Sequence, residues 1–259
     1  AKGDPIQVLA SPNPQQEGRF GWAVASLGDL NGDGVPDFSV TAPRQAVNGI
    51  ENEINDAGKA YLISGANAEV LHTLRAPTPL PYDGFGNDIG AVSDVNGDSV
   101  SDVVVGADRK NVLGVDVSEP GQAYIFGGAN GQVLRTLTSP NAEMEGRFGY
   151  DVAGVGDMDG DGAGDVIVGA RRETVNGVNN AGRSYLYSGT GGLLQTLEAS
   201  NSESSSRASS RNDNYNQRDL RIRAQHILIR VGRNASKSKV DSARRVTTAL
   251  IDSVKAGTN

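Results

Sequence analysis

The chain has 259 residues, 37% of them hydrophobic, and its 24 Lys and Arg against 31 Asp and Glu give a formal net charge of −7. That length can bury a core in one large domain or two ordinary ones. The absence of cysteine excludes disulfides, thiolate chemistry and cysteine-ligated zinc, and no run reaches the roughly 18 apolar residues that cross a bilayer as a helix.

Charge is unevenly placed. Residues 1–200 carry 12 basic and 26 acidic side chains and residues 201–259 carry 12 and 5, so a −14 segment precedes a +7 segment. Many of the early acids fall into short clusters, which reads as cation sites better than as a diffuse acidic surface. The start, AKGDPIQV, shows no charged-then-apolar signal leader.

Taken in chain order, PIQVLASPNP (5–14) reads as a leading outer strand. FGWAVASLGDLNGDGVPDFSVTAP (20–43) follows, and it recurs as FGNDIGAVSDVNGDSVSDVVVGAD (85–108) and FGYDVAGVGDMDGDGAGDVIVGAR (148–171), at offsets of 65 and 63 residues. After each copy come a variable polar loop, then GKAYLISGA (58–66), GQAYIFGGA (121–129) or GRSYLYSGT (182–190), then EVLHTLRAP, QVLRTLTSP or GLLQTLEAS. Each unit offers four short apolar runs, rich in β-branched and aromatic residues and bounded by Gly, Asn, Asp and Pro, which is strand chemistry. Four strands repeated at this period predict an all-β fold of three four-stranded β-propeller blades, over about 20–83, 85–146 and 148–200. The second strand of each unit is almost continuously apolar, as expected where both faces are covered.

Phe20-Gly21, Phe85-Gly86 and Phe148-Gly149, the D-x-[ND]-G-D loops, and Thr41-Ala42-Pro43, Gly106-Ala107-Asp108 and Gly169-Ala170-Arg171 together resemble FG-GAP repeats. The resemblance covers about residues 5–200 and implies the seven-bladed propeller of integrin α-subunits and of bacterial surface proteins. Asp108 and Arg171 depart from it where the family often has proline, and Ser99 departs where the loop glycine stands.

The acidic loops place oxygen at alternate positions. Asp29, Asn31, Asp33 and Asp37 stand at positions 1, 3, 5 and 9 of the first, with the backbone carbonyl of Val35 at position 7. The second offers Asp94, Asn96, Asp98, Val100 and Asp102, and the third Asp157, Asp159, Asp161, Ala163 and Asp165. A hard cation that takes six to eight oxygens suits such a cluster. An EF-hand is excluded because position 12 is Val40, Val105 or Val168, inside an apolar strand, rather than a bidentate acid. One loop alone reads equally as a calcium cradle or as an Asx turn capping backbone amides. Three in register, together with the resemblance, favour Ca2+ at three structural sites, with magnesium disfavoured by its octahedral demand. The third loop, with four carboxylates, is expected to bind best. The second is expected to bind worst, because Ser99 replaces a glycine whose place needs a left-handed backbone. No nucleophile and base accompany the loops, and His72 reads as a surface side chain of a fourth strand, so no catalytic residue is assigned.

Three blades fall short of the 4–8 of closed propellers, which predicts uncovered sheet faces and self-association to complete the ring. Residues 201–219 read as a polar linker. LRIRAQHILIRVG (220–232) reads as a strand and 236–257 as a helix with Val240, Ala243, Val246, Leu250 and Val254 on one stripe. Arg223-Ala224-Gln225-His226-Ile227-Leu228 and Lys255-Ala256-Gly257 resemble the start of a parvulin-type peptidyl-prolyl isomerase. The second histidine and central acid of that family are missing, so no isomerase activity is assigned. The arginines at 218, 221, 223, 230 and 233 alternate with apolar residues and read as a solvated strand face, not a nucleic-acid surface.

The expected function is a non-enzymatic, calcium-binding scaffold of a secreted or cell-surface protein. The variable loops 44–57, 109–120 and 171–181 would meet a protein or glycan ligand, as in adhesion. The alternative is part of a peptidyl-prolyl isomerase or of a propeller-containing hydrolase.

Overall fold

A computed structural model describes residues 7–48, 53–111 and 118–198. The 201–219 linker and the 220–259 strand and helix, with their parvulin likeness, lie outside the described residues, as do parts of the loops 44–57 and 109–120.

Three antiparallel four-stranded sheets follow one another, each built by one sequence unit. The first orders β1 (Val24–Gly28), β2 (Asp37–Ala42), β5 (Lys59–Ile63) and β6 (Val70–Leu74) side by side. A two-stranded ribbon, β3 (Val47–Asn48) with β4 (Glu53–Ile54), projects from the β2–β5 loop. The second contains β7 (Phe85–Val92), β8 (Asp102–Ala107), β9 (Gln122–Phe126) and β10 (Val133–Thr138). The third contains β11 (Phe148–Gly156), β12 (Asp165–Ala170), β13 (Arg183–Tyr187) and β14 (Leu193–Glu198). Among the described residues there is no helix, and the three sheets do not close into a ring.

The sheets pack face to face because their second and third strands are apolar on both sides. Every residue of β8 is buried. One core cluster joins Leu27, Ala60 and Leu62 of the first sheet to Phe85, Val103, Val105 and Tyr124 of the second. Another joins Val104, Ala123 and Ile125 to Phe148, Val166, Val168 and Tyr185. The Phe-Gly pairs lock these junctions. Phe85 N–H donates to Ala57 O and Phe148 N–H to Pro120 O, and Gly58 and Gly121 sit beneath the phenylalanine carbonyls where a Cβ would collide with them. Both glycines have positive φ, 93° and 88°, so glycine is required twice over at each joint.

One expectation is corrected. The leading outer strand 5–14 is not formed over its described residues, 7–14. A fourth strand in this fold pairs with the third strand of its own unit, and residues 7–14 are paired with no strand among the described residues. The segment docks instead on Gln45, whose Nε2 donates to Ser11 Oγ and Asn13 O at 2.6 Å each. His72 keeps a partly exposed place but has a partner. It is half-buried in β6, with Nε2 3.1 Å from Ala129 O of the next sheet. Arg135, the same position one unit on, donates to Gly189 O and Thr190 O.

Gln45, Lys110 and Glu173 occupy one repeated position three residues beyond the second strand, and all are buried. Each fastens the segment that enters its sheet. Gln45 holds Ser11 and Asn13, Lys110 holds Thr78 and Asp83, and Glu173 holds Ser139 and Tyr185. A neutral, a cationic and an anionic side chain thus do one structural task with three partner sets. Composition alone does not align them, because their chemistry differs.

Candidate metal centres

The acidic loops close the β1–β2, β7–β8 and β11–β12 hairpins, all at one end of the sheets. Their first residues act as amide cradles. Asp29 accepts from the N–H groups of Gly32 (2.7 Å), Asp33 (3.2 Å) and Gly34 (2.8 Å). Asp94 accepts from Gly97 (2.6 Å), Asp98 (3.2 Å) and Ser99 (2.7 Å), and Asp157 from Gly160 (2.6 Å) and Gly162 (3.1 Å). The Gly34 amide above all lowers the Asp29 carboxyl below the ordinary range. For Asp94 burial acts upward, but the amides of Ser99, Gly97 and Asp98 outweigh it and lower that carboxyl too.

Position 9 ties each loop to the neighbouring hairpin of its own sheet. Asp37 accepts from Leu30 N–H (2.7 Å) and Gly65 N–H (3.0 Å), Asp102 from Val95 (2.7 Å) and Gly128 (3.0 Å), and Asp165 from Met158 (2.6 Å) and Gly189 (3.1 Å). All three are buried. Burial first, then the neighbouring loop acids, raise the carboxyls of Asp102 and Asp165. A buried carboxylate among like charges is the environment that a cation relieves.

Position 3 separates the loops. In the third, Asp157, Asp159 and Asp165 bring carboxylate oxygens within 4.8 Å of one another, the one such acidic group among the described residues. In the first two the place is Asn31 or Asn96, whose Nδ2 donates to Asp33 or Asp98 at 2.9 Å. Position 5 turns its carboxylate onto the amide two residues on, at Val35, Val100 and Ala163. Asp161 additionally accepts from the hydroxyls of Ser188 and Thr190, and the Thr190 bond is the chief cause of its lowered carboxyl. Those two hydroxyls escaped the sequence reading, although SGT (188–190) stands where the other units have SGA and GGA. Position 12 is strand core, with Val40, Val105 and Val168 all buried.

The opposite end carries the ion pairs and a cleft. Arg147 reaches Glu119 at 2.7 Å and Asp108 at 3.6 Å across the second junction. At the first junction the place of Arg147 is taken by Gly84, and a cleft of about 130 Å³ opens, lined by Trp22, Arg44, Asp56, Tyr82 and Arg109 among others. Trp22 and Tyr82 are 50% and 62% exposed there, and Arg19 lies 5.1 Å from the Trp22 ring centroid.

Comparison with known proteins agrees with the repeat. Residues 20–63 and 148–187 match the FG-GAP repeat family, while the second acidic loop, which carries Ser99, lies outside the matched residues. Mouse integrin alpha-E is 30% identical over 174 residues, covering 62% of this chain and 14% of that protein. Chicken integrin alpha-V is 30% identical over 172 residues, covering 66% and 15%. The chain therefore spans about one seventh of the length of the curated relatives it matches. A rhamnogalacturonan lyase of Bacillus licheniformis superposes at a TM-score of 0.41 with 15% identity, over 70% of this chain and 35% of that one, too loosely to bear on activity. The first three strands of the first and third sheets thus lie in segments that match the FG-GAP repeat family, and the chain is similar to integrin alpha chains.

Proposed function

We propose that the chain is a calcium-clamped propeller segment, without catalytic activity, that presents its opposite-end loops for protein or glycan recognition in a secreted or cell-surface protein. The observation that carries the calcium reading is the convergence of Asp157, Asp159 and Asp165. The donor set fits calcium: hard oxygens, flexible enough for six to eight contacts, with a buried raised carboxyl beside its like-charged neighbours. Asp161 and the Ala163 carbonyl would complete the third cradle. Asp29, Asn31, Asp33, Val35 and Asp37, and Asp94, Asn96, Asp98, Val100 and Asp102, would form the other two. When bound, the ion supplies cross-linking of the hairpin; no reaction is routed through it.

Recognition is assigned to the other end because the loops there vary between units while the strands do not. The cleft beside Trp22 and Tyr82 offers two exposed aromatic rings and charges of both signs, chemistry suited to a protein or glycan surface. A secreted or surface setting follows from the calcium reading, since calcium sites of weak affinity work in extracellular modules. Among the described residues no helix is long and apolar enough to cross a membrane.

The test is calorimetric titration of the chelator-stripped chain with calcium and, separately, magnesium. Calcium heat that disappears for one site in the double variant Asp157→Asn, Asp165→Asn supports the reading. No calcium heat and a melting temperature indifferent to chelator would sink it.

A further inference from the structure

Each unit places an arginine two residues beyond its second strand, and in two of the three units an acid meets it. In the first, Glu17 pairs with Arg44 at 3.6 Å, and in the third, Glu145 pairs with Arg172 at 2.6 Å. The middle unit keeps the arginine, Arg109, but carries Tyr82 where the acid belongs. Tyr82 holds the same left-handed backbone, φ 64° against 59° at Glu17 and 55° at Glu145, so the side chain alone has changed. Arg109 is exposed and forms no ion pair among the described residues. Asp108, the acid beside it, is taken by Arg147.

A second side chain is missing at the same place. Arg147 bridges Asp108 and Glu119 at the second junction. Gly84 replaces it at the first and leaves Asp56, the counterpart of Glu119, without an ion pair among the described residues. Arg147 and Arg19 adopt the same positive φ, 60° and 56°, so the backbone does not demand glycine here. Its effect is to open the cleft of about 130 Å³ between the first two sheets. That cleft offers an unpaired guanidinium, an unpaired carboxylate and two aromatic faces. Trp22 is fixed in it by its Nε1–H, which donates to Asn87 O across the junction at 3.0 Å, and a platform already fixed loses little freedom on binding. The volume is below the roughly 300–1,000 Å³ that encloses a whole drug-sized ligand, so it suits one residue of a longer chain.

We infer that this cleft binds one uronic-acid residue of an acidic glycan, with the sugar carboxylate on Arg109 in place of the missing glutamate and the ring against Tyr82 and Trp22. A guanidinium pairs a carboxylate through two parallel N–H bonds, and the aromatic faces cover the apolar C–H face of the sugar. Asp56 favours the sugar over an acidic side chain. It accepts from sugar hydroxyls, whereas an aspartate or glutamate side chain brings only acceptors and leaves Asp56 facing a like charge. The inference deepens the recognition reading above and rests on it, and it is independent of the calcium reading.

Trp22 is the single tryptophan of the chain, so its fluorescence reports on the cleft directly. The full chain is titrated, at fixed sodium concentration, with glucuronate, with glucose as the ring lacking the carboxylate, and with N-acetylglutamate amide as the acid lacking the ring. Glucuronate should change the emission saturably, and the other two should bind about tenfold more weakly or worse. Arg109→Met should weaken glucuronate by about tenfold or more. Tyr82→Glu restores the internal pair of the other two units and should abolish the response at unchanged circular dichroism. Either variant suffices if the other does not fold. A wild type indifferent to glucuronate, variants that bind it like wild type, or glucose that binds as well would each overturn the inference. Preference for the glutamate derivative would overturn it in favour of an acidic peptide while keeping the cleft a recognition site. A chain that takes up calcium but no glucuronate defeats this inference alone.

Discussion

Gly58 lies directly beneath Phe85, so that a Cβ on the glycine would fall inside the phenylalanine carbonyl oxygen. The joint between the first two sheets therefore depends on a missing side chain. Gly58→Ala should destabilise the fold by about 3 kcal/mol or more, since it combines backbone overlap with a positive φ. Gly121→Ala should match it at the second joint, where Phe148 O takes the same place. Gly182→Ala, whose Cβ would meet Arg171 O of its own loop at 3.0 Å rather than overlap a carbonyl at 2.0 or 2.1 Å, should lose less, about 1–2 kcal/mol, most of it the strain of its φ. Urea denaturation of the three variants ranks them.

Lys110 and Asp83 form a buried ion pair at 2.7 Å, with side-chain exposures of 2% and 1%. Removing one partner strands the other charge. Lys110→Met should cost about 3–5 kcal/mol, while the double variant Lys110→Met, Asp83→Leu should recover much of that, because a buried pair repays little more than its own desolvation. Full additivity of the two single losses would contradict this account.

Ser99 holds φ at 67°, as its alignment with the loop glycines Gly34 and Gly162 requires. Ser99→Gly relieves left-handed strain while keeping the amide that bonds Asp94. The gain should be about 0.5–1 kcal/mol after the greater flexibility of glycine in the unfolded chain is counted. Calcium titration should also show the weakest of the three sites tightening.

Calcium should raise the melting temperature in proportion to the logarithm of its free concentration. At about one hundred times the dissociation constant each site adds about 2.7 kcal/mol. Asp159→Asn reproduces the asparagine of the first two loops and should weaken the third site toward theirs. An unchanged third-site affinity would show that position 3 does not rank the loops.

Asp88 faces Asp151 across the second junction, and its Oδ2 accepts the Val152 N–H at 2.8 Å. Burial, with a smaller push from Asp151, raises its carboxyl from 3.8 to about 6. The folded state then holds this proton more tightly than the unfolded chain does. Its stabilisation is complete below about pH 4 and lost as pH rises through about 6. Asp88→Asn should remove that share, about 2 kcal/mol, from the decline in stability across this window. Burial raises Asp83, Asp108 and Asp151 in the same direction, so a shallower slope should remain in the variant. Chemical denaturation at pH 4 and pH 7 reads the difference.

Much of the fold was legible before any coordinates. The Phe-Gly pairs and apolar runs placed the four strands of each sheet, because strand chemistry and turn residues act over a few positions. The acidic loops were equally readable, and their positions 1, 5 and 9 bond amides at matching places in each loop. Residues 7–14 form no strand although their run resembles the fourth strands, because such a run does not by itself fix what it pairs with. The partner of His72 was not legible because Ala129 O lies 57 residues away.

The sequence by itself determined the threefold repeat, the strand order within each unit and the spacing of the loop oxygens, all consequences of local periodicity. Only the tertiary structure decided the rest. It showed that Gln45, Lys110 and Glu173 share one task, that three carboxylates converge in the third loop alone among the described residues, and that the glycine joints at Gly58 and Gly121 are filled by Phe85 and Phe148. Those facts depend on which surfaces meet, and burial against a neighbouring sheet is a property of the pair of surfaces rather than of either segment.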